Sequence, residues 1–311
     1  MSLTPELIDE AARRIYSMVR STPVLTVDGK QLDAAGTVSL KLELLQHSGS
    51  FKARGASNFL AAAVISAAGV VAASGGNHGA AVAWAARELG HQATIFVPTI
   101  SAPVKVERLR SYGAEVHQVG SVYAESLAAS VEFVAETGAT AVHAYESDLV
   151  MAGAGTTGRE FETQVVAAGQ RPLDTVLVAC GGGGLVGGVA AWLGERAKVV
   201  ACETTGTASY AAAVAADQPV EVEISGIAAD ALGASKIGER AWQQLSKVGA
   251  ASVVVEDSAV VAAKALLWDR FRIVAEPSAA VPVAALISGD YTPNPDEHVG
   301  VIVCGANTAL G

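Results

Sequence analysis

At 311 residues, 51% of them hydrophobic and only 17% charged, the chain is long enough for two compact domains and too apolar for a disordered polypeptide. Its 21 Lys and Arg against 31 Asp and Glu leave a formal charge of −10, with no basic run longer than Arg13-Arg14, which excludes a nucleic-acid-binding surface. No apolar stretch reaches the roughly 20 residues of a membrane span.

Residues 1–14 mix acids and bases without the apolar centre of a signal peptide. The cysteines, Cys180, Cys202 and Cys304, lack metal-ligand spacing and lie in or just after apolar runs, which points to a reducing, cytoplasmic setting. From residue 70 onward, short apolar runs alternate with longer alanine-rich stretches. Strands are predicted at 70–73, 93–97, 115–119 and 140–143, with helices at 78–89, 103–112 and 123–136 between them. A second series has strands at 176–179, 199–202, 253–255 and 299–303, with helices at 185–196, 258–271 and 279–287. Strands alternating with helices of this length imply parallel sheets joined by right-handed crossovers, and two series imply two α/β domains. The small residues around 147–158 read as the hinge between them.

Three small-residue turns each follow an apolar run: Ser74-Gly75-Gly76-Asn77, Gly181-Gly182-Gly183-Gly184 and Cys304-Gly305-Ala306-Asn307. Ligands of open α/β sheets bind beyond the carboxyl ends of strands, so three such turns suggest one cleft. A glycine run between strand and helix lets backbone N–H groups approach a phosphate at the positive helix end. With no Lys or Arg between Thr175 and Glu195, a phosphate there would be held by amides and the helix dipole alone. Close helix–sheet packing without a ligand is the plain alternative. Gly182-x-Gly184-x-x-Gly187, with Glu203 after the next strand, also satisfies the dinucleotide fingerprint and would by itself suggest an NAD-dependent oxidoreductase.

The segment Ser48-Gly49-Ser50-Phe51-Lys52-Ala53-Arg54-Gly55-Ala56 weighs against that reading. A lysine beside an arginine is usually a solvated surface pair. Lys52 instead follows small residues and an aromatic ring and precedes an alanine-rich stretch, where an amine can lose its proton and form a Schiff base.

These four motifs, in this order and spacing, resemble those of the fold-type II pyridoxal phosphate enzymes, in the serine/threonine dehydratase and serine racemase group. The resemblance spans nearly the whole chain and includes Glu276-Pro277-Ser278. It implies an α/β fold of two open, mostly parallel sheets flanked by helices, tryptophan synthase β-like. The large cofactor-binding domain would comprise residues 1–68 and 147–311, and a small inserted domain residues 69–146. It implies pyridoxal 5'-phosphate as cofactor, an amino acid as substrate and a homodimer as the assembly.

By the same resemblance, Lys52 would carry the cofactor as a Schiff base and then act as the base on the substrate Cα. Phe51 would pack on one face of the ring and Gly226 leave room on the other. Asn77 would hydrogen-bond the ring hydroxyl, Gly181, Gly182, Gly183 and Gly184 hold the phosphate, and Cys304 sit beside the pyridine nitrogen. Ser74, with the amides of Gly75, Gly76, Asn77 and His78, would grip the substrate carboxylate. His78 has an equal structural reading, as a packed and hydrogen-bonded imidazole.

The implied reaction is dehydration and deamination of a β-hydroxy amino acid, L-threonine to 2-oxobutanoate or L-serine to pyruvate, with 3-hydroxyaspartate and phenylserine as open substrates. Two departures refine this. Racemases of the group carry a serine acid/base where this chain has Gly75, so racemisation is expected to be slow. Relatives with a divalent cation pair a glutamate with an aspartate six residues on; here Glu203 is followed by Ser209, a poor cage for a hard cation, and no metal is expected. With four residues after Asn307 in the sequence, no C-terminal regulatory domain of the kind found in biosynthetic threonine dehydratases is expected.

Overall fold

Apolar runs largely covered on both faces form the central strands, and alanine-rich stretches form many of the helices laid over them. In a computed structural model, which describes residues 3–308, there are ten strands among the described residues. They are β1 (Val24–Asp28), β2 (Thr37–Lys41), β3 (Val70–Ala73), β4 (Ala93–Val97), β5 (Glu115–Gln118), β6 (Thr140–Ala141), β7 (Thr175–Ala179), β8 (Lys198–Thr204), β9 (Ala251–Val255) and β10 (His298–Ile302). One sheet runs β1-β2-β10-β7-β8-β9 and the other β5-β4-β3-β6. Only the β1–β2 pairing is antiparallel, so two mostly parallel sheets are present, as the alternation of strands and helices implies. The last strand, β10, inserts between β2 and β7, which brings the turn after it beside the start of the Lys52 segment. Ser50 forms an antiparallel bridge with Gly305, and Phe51 N donates to the Cys304 carbonyl (3.0 Å).

The structure corrects the hinge. Residues 147–158 open a helix of 20 residues, Asp148–Ala167, with Ser147 Oγ accepting from Val150 N at its start. Its glycines serve close approach. A Cβ on Gly153 would lie 2.5 Å from the Arg54 carbonyl oxygen, and one on Gly155 would lie 2.8 Å from that of Gly188. Three helices, Lys52–Ala62, Asp148–Ala167 and Gly184–Leu193, therefore touch backbone to backbone, which fixes the Lys52 helix against the glycine-turn helix. Strands β1 and β2 and the helices Pro5–Ile15 and Glu239–Val248 are further elements that the apolar pattern did not reveal.

Beneath the Lys52 helix lies a buried charge cluster. Arg54 meets Glu43 through Nε and Nη2 (2.8 and 2.7 Å) and reaches Glu160 (2.9 Å); Lys41 donates to Glu160 and Gln164 (2.5 and 2.7 Å). Bidentate pairing of this kind satisfies charges that burial would otherwise penalise.

Candidate active site

Lys52 opens its helix directly after Phe51, and its Nζ lies 5.2 Å from the Phe51 ring centroid and donates to the Ala144 carbonyl (2.8 Å). Burial pulls its amine down to about 8, against the raising effect of Cys304 and Glu276 nearby. An amine that gives up its proton near neutral pH is a usable nucleophile and base. Cys304 is buried, and burial pushes its thiol up, so it stays neutral.

The glycine turn between β7 and the helix Gly184–Leu193 presents a row of unused donors. Among the described residues, no protein group accepts a hydrogen bond from the backbone N–H groups of residues 181–186. Buried amides nearly always find partners, so an unpaired row at a helix N-terminus calls for an anion. Gly183 takes a left-handed φ of 86°, which favours glycine. Tyr145 walls the turn on one side: a Cβ on Gly182 would come within 2.5 Å of its ring, and one on Gly184 within 2.9 Å of its Cβ. Ala144, whose carbonyl holds Lys52, thus precedes the side chain that covers the glycine turn.

A second free row begins the helix Asn77–Leu89. Gly76 N bonds Ser74 Oγ (3.3 Å), while the amides of Gly75, Asn77, His78 and Gly79 have no acceptor among the described residues. His78 is buried with Nε2 on the Val142 carbonyl (2.8 Å), and burial, helped by Lys52, lowers it to about 3, so it is a neutral packed imidazole. Asn77 donates through Nδ2 to Glu276 (2.6 Å) and accepts from Asn307. Glu276, 4% exposed, also accepts from Ser278 Oγ (2.7 Å) and Asn307 N (2.9 Å). Lys52 and the glycine turn are thus linked through Ala144 and Tyr145, and Asn77 is tied to the turn after β10, so the three turns at the carboxyl ends of β3, β7 and β10 lie around the start of the Lys52 helix.

Gly226 is not brought to this cluster. Its neighbours lie beyond β8 and β9: Ser225 N bonds Gly206 O (2.9 Å), and a Cβ on Gly226 would strike the Asp257 carboxylate at 2.6 Å. Its glycine is explained by a φ of 79° and that close approach. The segment that does reach the glycine turn is the short helix Ala229–Leu232, where Leu232 Cα would lie 2.8 Å from a Cβ on Gly181. Glu203 accepts from Tyr210 N and Ala211 N (2.7 and 2.8 Å) at the start of the helix Ser209–Ala216, and burial raises it to about 7. Tyr145, Glu276 and Asn307 complete the site. Reading along the chain assigns no role to Tyr145 or Asn307 beyond their motifs, because their partners lie far away in sequence.

The model of the family "Pyridoxal-phosphate dependent enzyme" matches residues 15–305. The chain belongs to this family. Among curated relatives, it is 33% identical to an L-threonine ammonia-lyase of Geobacter sulfurreducens, over 92% of this chain and 71% of that one. Among solved structures it resembles a threonine deaminase from T.th. (30% identity, TM-score 0.92, 99% of both chains). Maize serine racemase is equally similar in fold (30% identity, TM-score 0.92), over 100% of this chain and 95% of that one. The family uses pyridoxal phosphate, and its members named here are enzymes of β-hydroxy amino acids, which displaces the nicotinamide reading of the glycine turn. The residues present fit that group: an amine of lowered basicity, an unpaired row of buried amides for a phosphate, and a neutral thiol in the same cleft.

Proposed function

We propose that the chain is an ammonia-lyase that converts L-threonine or L-serine to the 2-oxo acid and ammonia. When bound, pyridoxal phosphate supplies a ring that withdraws electrons from Cα of an attached amino acid. The chain's own residues account for the rest. Amides 181–186 would hold the phosphate, and Lys52 would anchor the cofactor and then, as a free amine, take the Cα proton. Ser74 and the amides of the Asn77 helix start would orient the substrate carboxylate, while Phe51 would pack on the ring and Asn77 would bond its hydroxyl. A neutral Cys304 placed beside the pyridine nitrogen would offer no ion pair to store charge on the ring, which would favour prompt departure of the β-hydroxyl.

The observation that carries the lyase reading is Gly75, which offers no side chain to return a proton on the face opposite Lys52. A second reading, racemisation, is favoured by Ser101, whose Oγ lies 3.6 Å from where a Gly75 Cβ would be. Turnover in D2O separates them. The lyase reading expects a 2-oxo acid from L-threonine or L-serine, lost in Lys52→Ala, with the remaining substrate still the L-enantiomer. Deuterated substrate inverted at Cα (D-serine, or D-allo-threonine from L-threonine) that disappears in Ser101→Ala would establish the racemase instead.

A further inference from the structure

The helix Pro103–Ser111, packed against the four-stranded sheet, reaches across to the six-stranded side at two points one turn apart. Lys105 Nζ meets Asp230 Oδ1 (2.5 Å), and Arg108 Nη1 donates to Asn307 Oδ1 (2.5 Å). Lys105 forms an ordinary exposed ion pair. Arg108 does not: it is half-buried, has no carboxylate within 4 Å among the described residues, and its Nε is buried without an acceptor. Its one partner among the described residues is a neutral amide.

That amide stands at the head of a directional chain. Arg108 donates to Asn307 Oδ1, Asn307 Nδ2 donates to Asn77 Oδ1 and to Ser48 O (2.9 Å), and Asn77 Nδ2 donates to Glu276 Oε1 (2.6 Å). Each side-chain amide could be turned end for end, because oxygen and nitrogen differ little in size. The ends remove that freedom. A guanidinium can only donate, and an ionised carboxylate or a backbone carbonyl can only accept, so Arg108 and Glu276, with the Ser48 carbonyl as a further constraint on Asn307, fix which way both amides face.

We propose that Arg108 is a positioning residue that, acting through Asn307, sets the polarity of Asn77. With its oxygen turned to Asn307 and one N–H on Glu276, Asn77 keeps its second N–H for an acceptor in the cleft. On the proposed reading of the site, on which this part of the inference rests, that acceptor is the cofactor's ring oxygen. Seating the Pro103–Ser111 helix is thereby coupled to cofactor binding.

The series Arg108→Lys, Arg108→Met and Arg108→Glu tests the polarity, with Lys105→Met as the comparison that loosens the same helix without touching Asn307. In the apo chain, side-chain amide exchange of Asn77 and Asn307 followed by NMR is expected to be slow in wild type and Lys105→Met and to accelerate in Arg108→Met. In the loaded chain, losing a hydrogen bond to a charged donor is expected to weaken the cofactor about tenfold in Arg108→Met. The ratio of the cofactor's visible bands should change with it, Arg108→Lys should restore both, and Arg108→Glu should be worst. Unchanged amide exchange in Arg108→Met would overturn the relay, and so would an equal band change in Lys105→Met. Accelerated exchange with unmoved bands would leave the relay standing and contradict instead the contact of Asn77 with the cofactor.

Discussion

Lys52 shows how local surroundings convert a common residue into a reactive one. Its ordinary value of 10.5 falls to about 8 because burial disfavours the ammonium, with Cys304 and Glu276 opposing. A protonated amine cannot attack the cofactor aldehyde, so the rate of cofactor capture by the apo chain should fall as pH drops below about 8 and level off above it. Stopped-flow absorbance from about pH 6.5 to 10 checks this; a midpoint close to the ordinary lysine value would mean that the amine is solvated. At the glycine turn, Gly182→Ala drives a methyl into the Tyr145 ring, whereas Gly181→Ala drives one into the Leu232 backbone. Each should cost roughly 1–3 kcal/mol by overpacking. Adding Tyr145→Ala should relieve the first and leave the second, as thermal melts of the double variants would show. The glycine run and Lys52 were legible in the sequence because each sits in a compact local motif. The relay from Arg108 to Glu276 was not, since Asn77 and Glu276 are 199 positions apart and only the fold brings them together.

Among the elements, the helix Asp148–Ala167 is the most instructive. Its small residues, Gly153, Ala154, Gly155 and Gly158, suggested a hinge, because glycine is usually read as a breaker. Here they let the Lys52 helix and the glycine-turn helix approach at backbone distance. Gly153→Ala would therefore push the Lys52 helix away at its Arg54 carbonyl. The variant is expected to lose stability, roughly 1–3 kcal/mol, and to bind the cofactor more weakly, measured by denaturant titration and by equilibrium dialysis. Arg54→Met removes the bidentate partner of the buried Glu43 and should destabilise more, by about 3–5 kcal/mol, because it leaves that carboxylate uncompensated. A denaturation midpoint equal to wild type for Arg54→Met would show that the cluster is not held as described. The parallel strands at the centre of each sheet were readable from apolar runs, since β3, β4, β7, β8 and β10 are largely buried. The antiparallel edge pair β1–β2 was missed because β1 has no fully buried residue to mark it.

For the molecule as a whole, the insertion of β10 between β2 and β7 is what makes a single site. It carries Cys304 and Asn307 to the Ser50–Lys52 segment, while the turns after β3 and β7 supply two rows of free amides among the described residues. Two rows suit a ligand and substrate that each carry an anion. The lyase reading depends on what happens to the Cα proton after Lys52 takes it. The most direct measurement is turnover of L-threonine and L-serine by the cofactor-loaded chain in D2O, following 2-oxo acid, ammonia and the configuration of recovered substrate together. Equal amounts of 2-oxo acid and ammonia, both lost in Lys52→Ala, with recovered substrate remaining L, are expected. Deuterated D-serine, or D-allo-threonine from L-threonine, forming faster than 2-oxo acid would contradict the lyase reading.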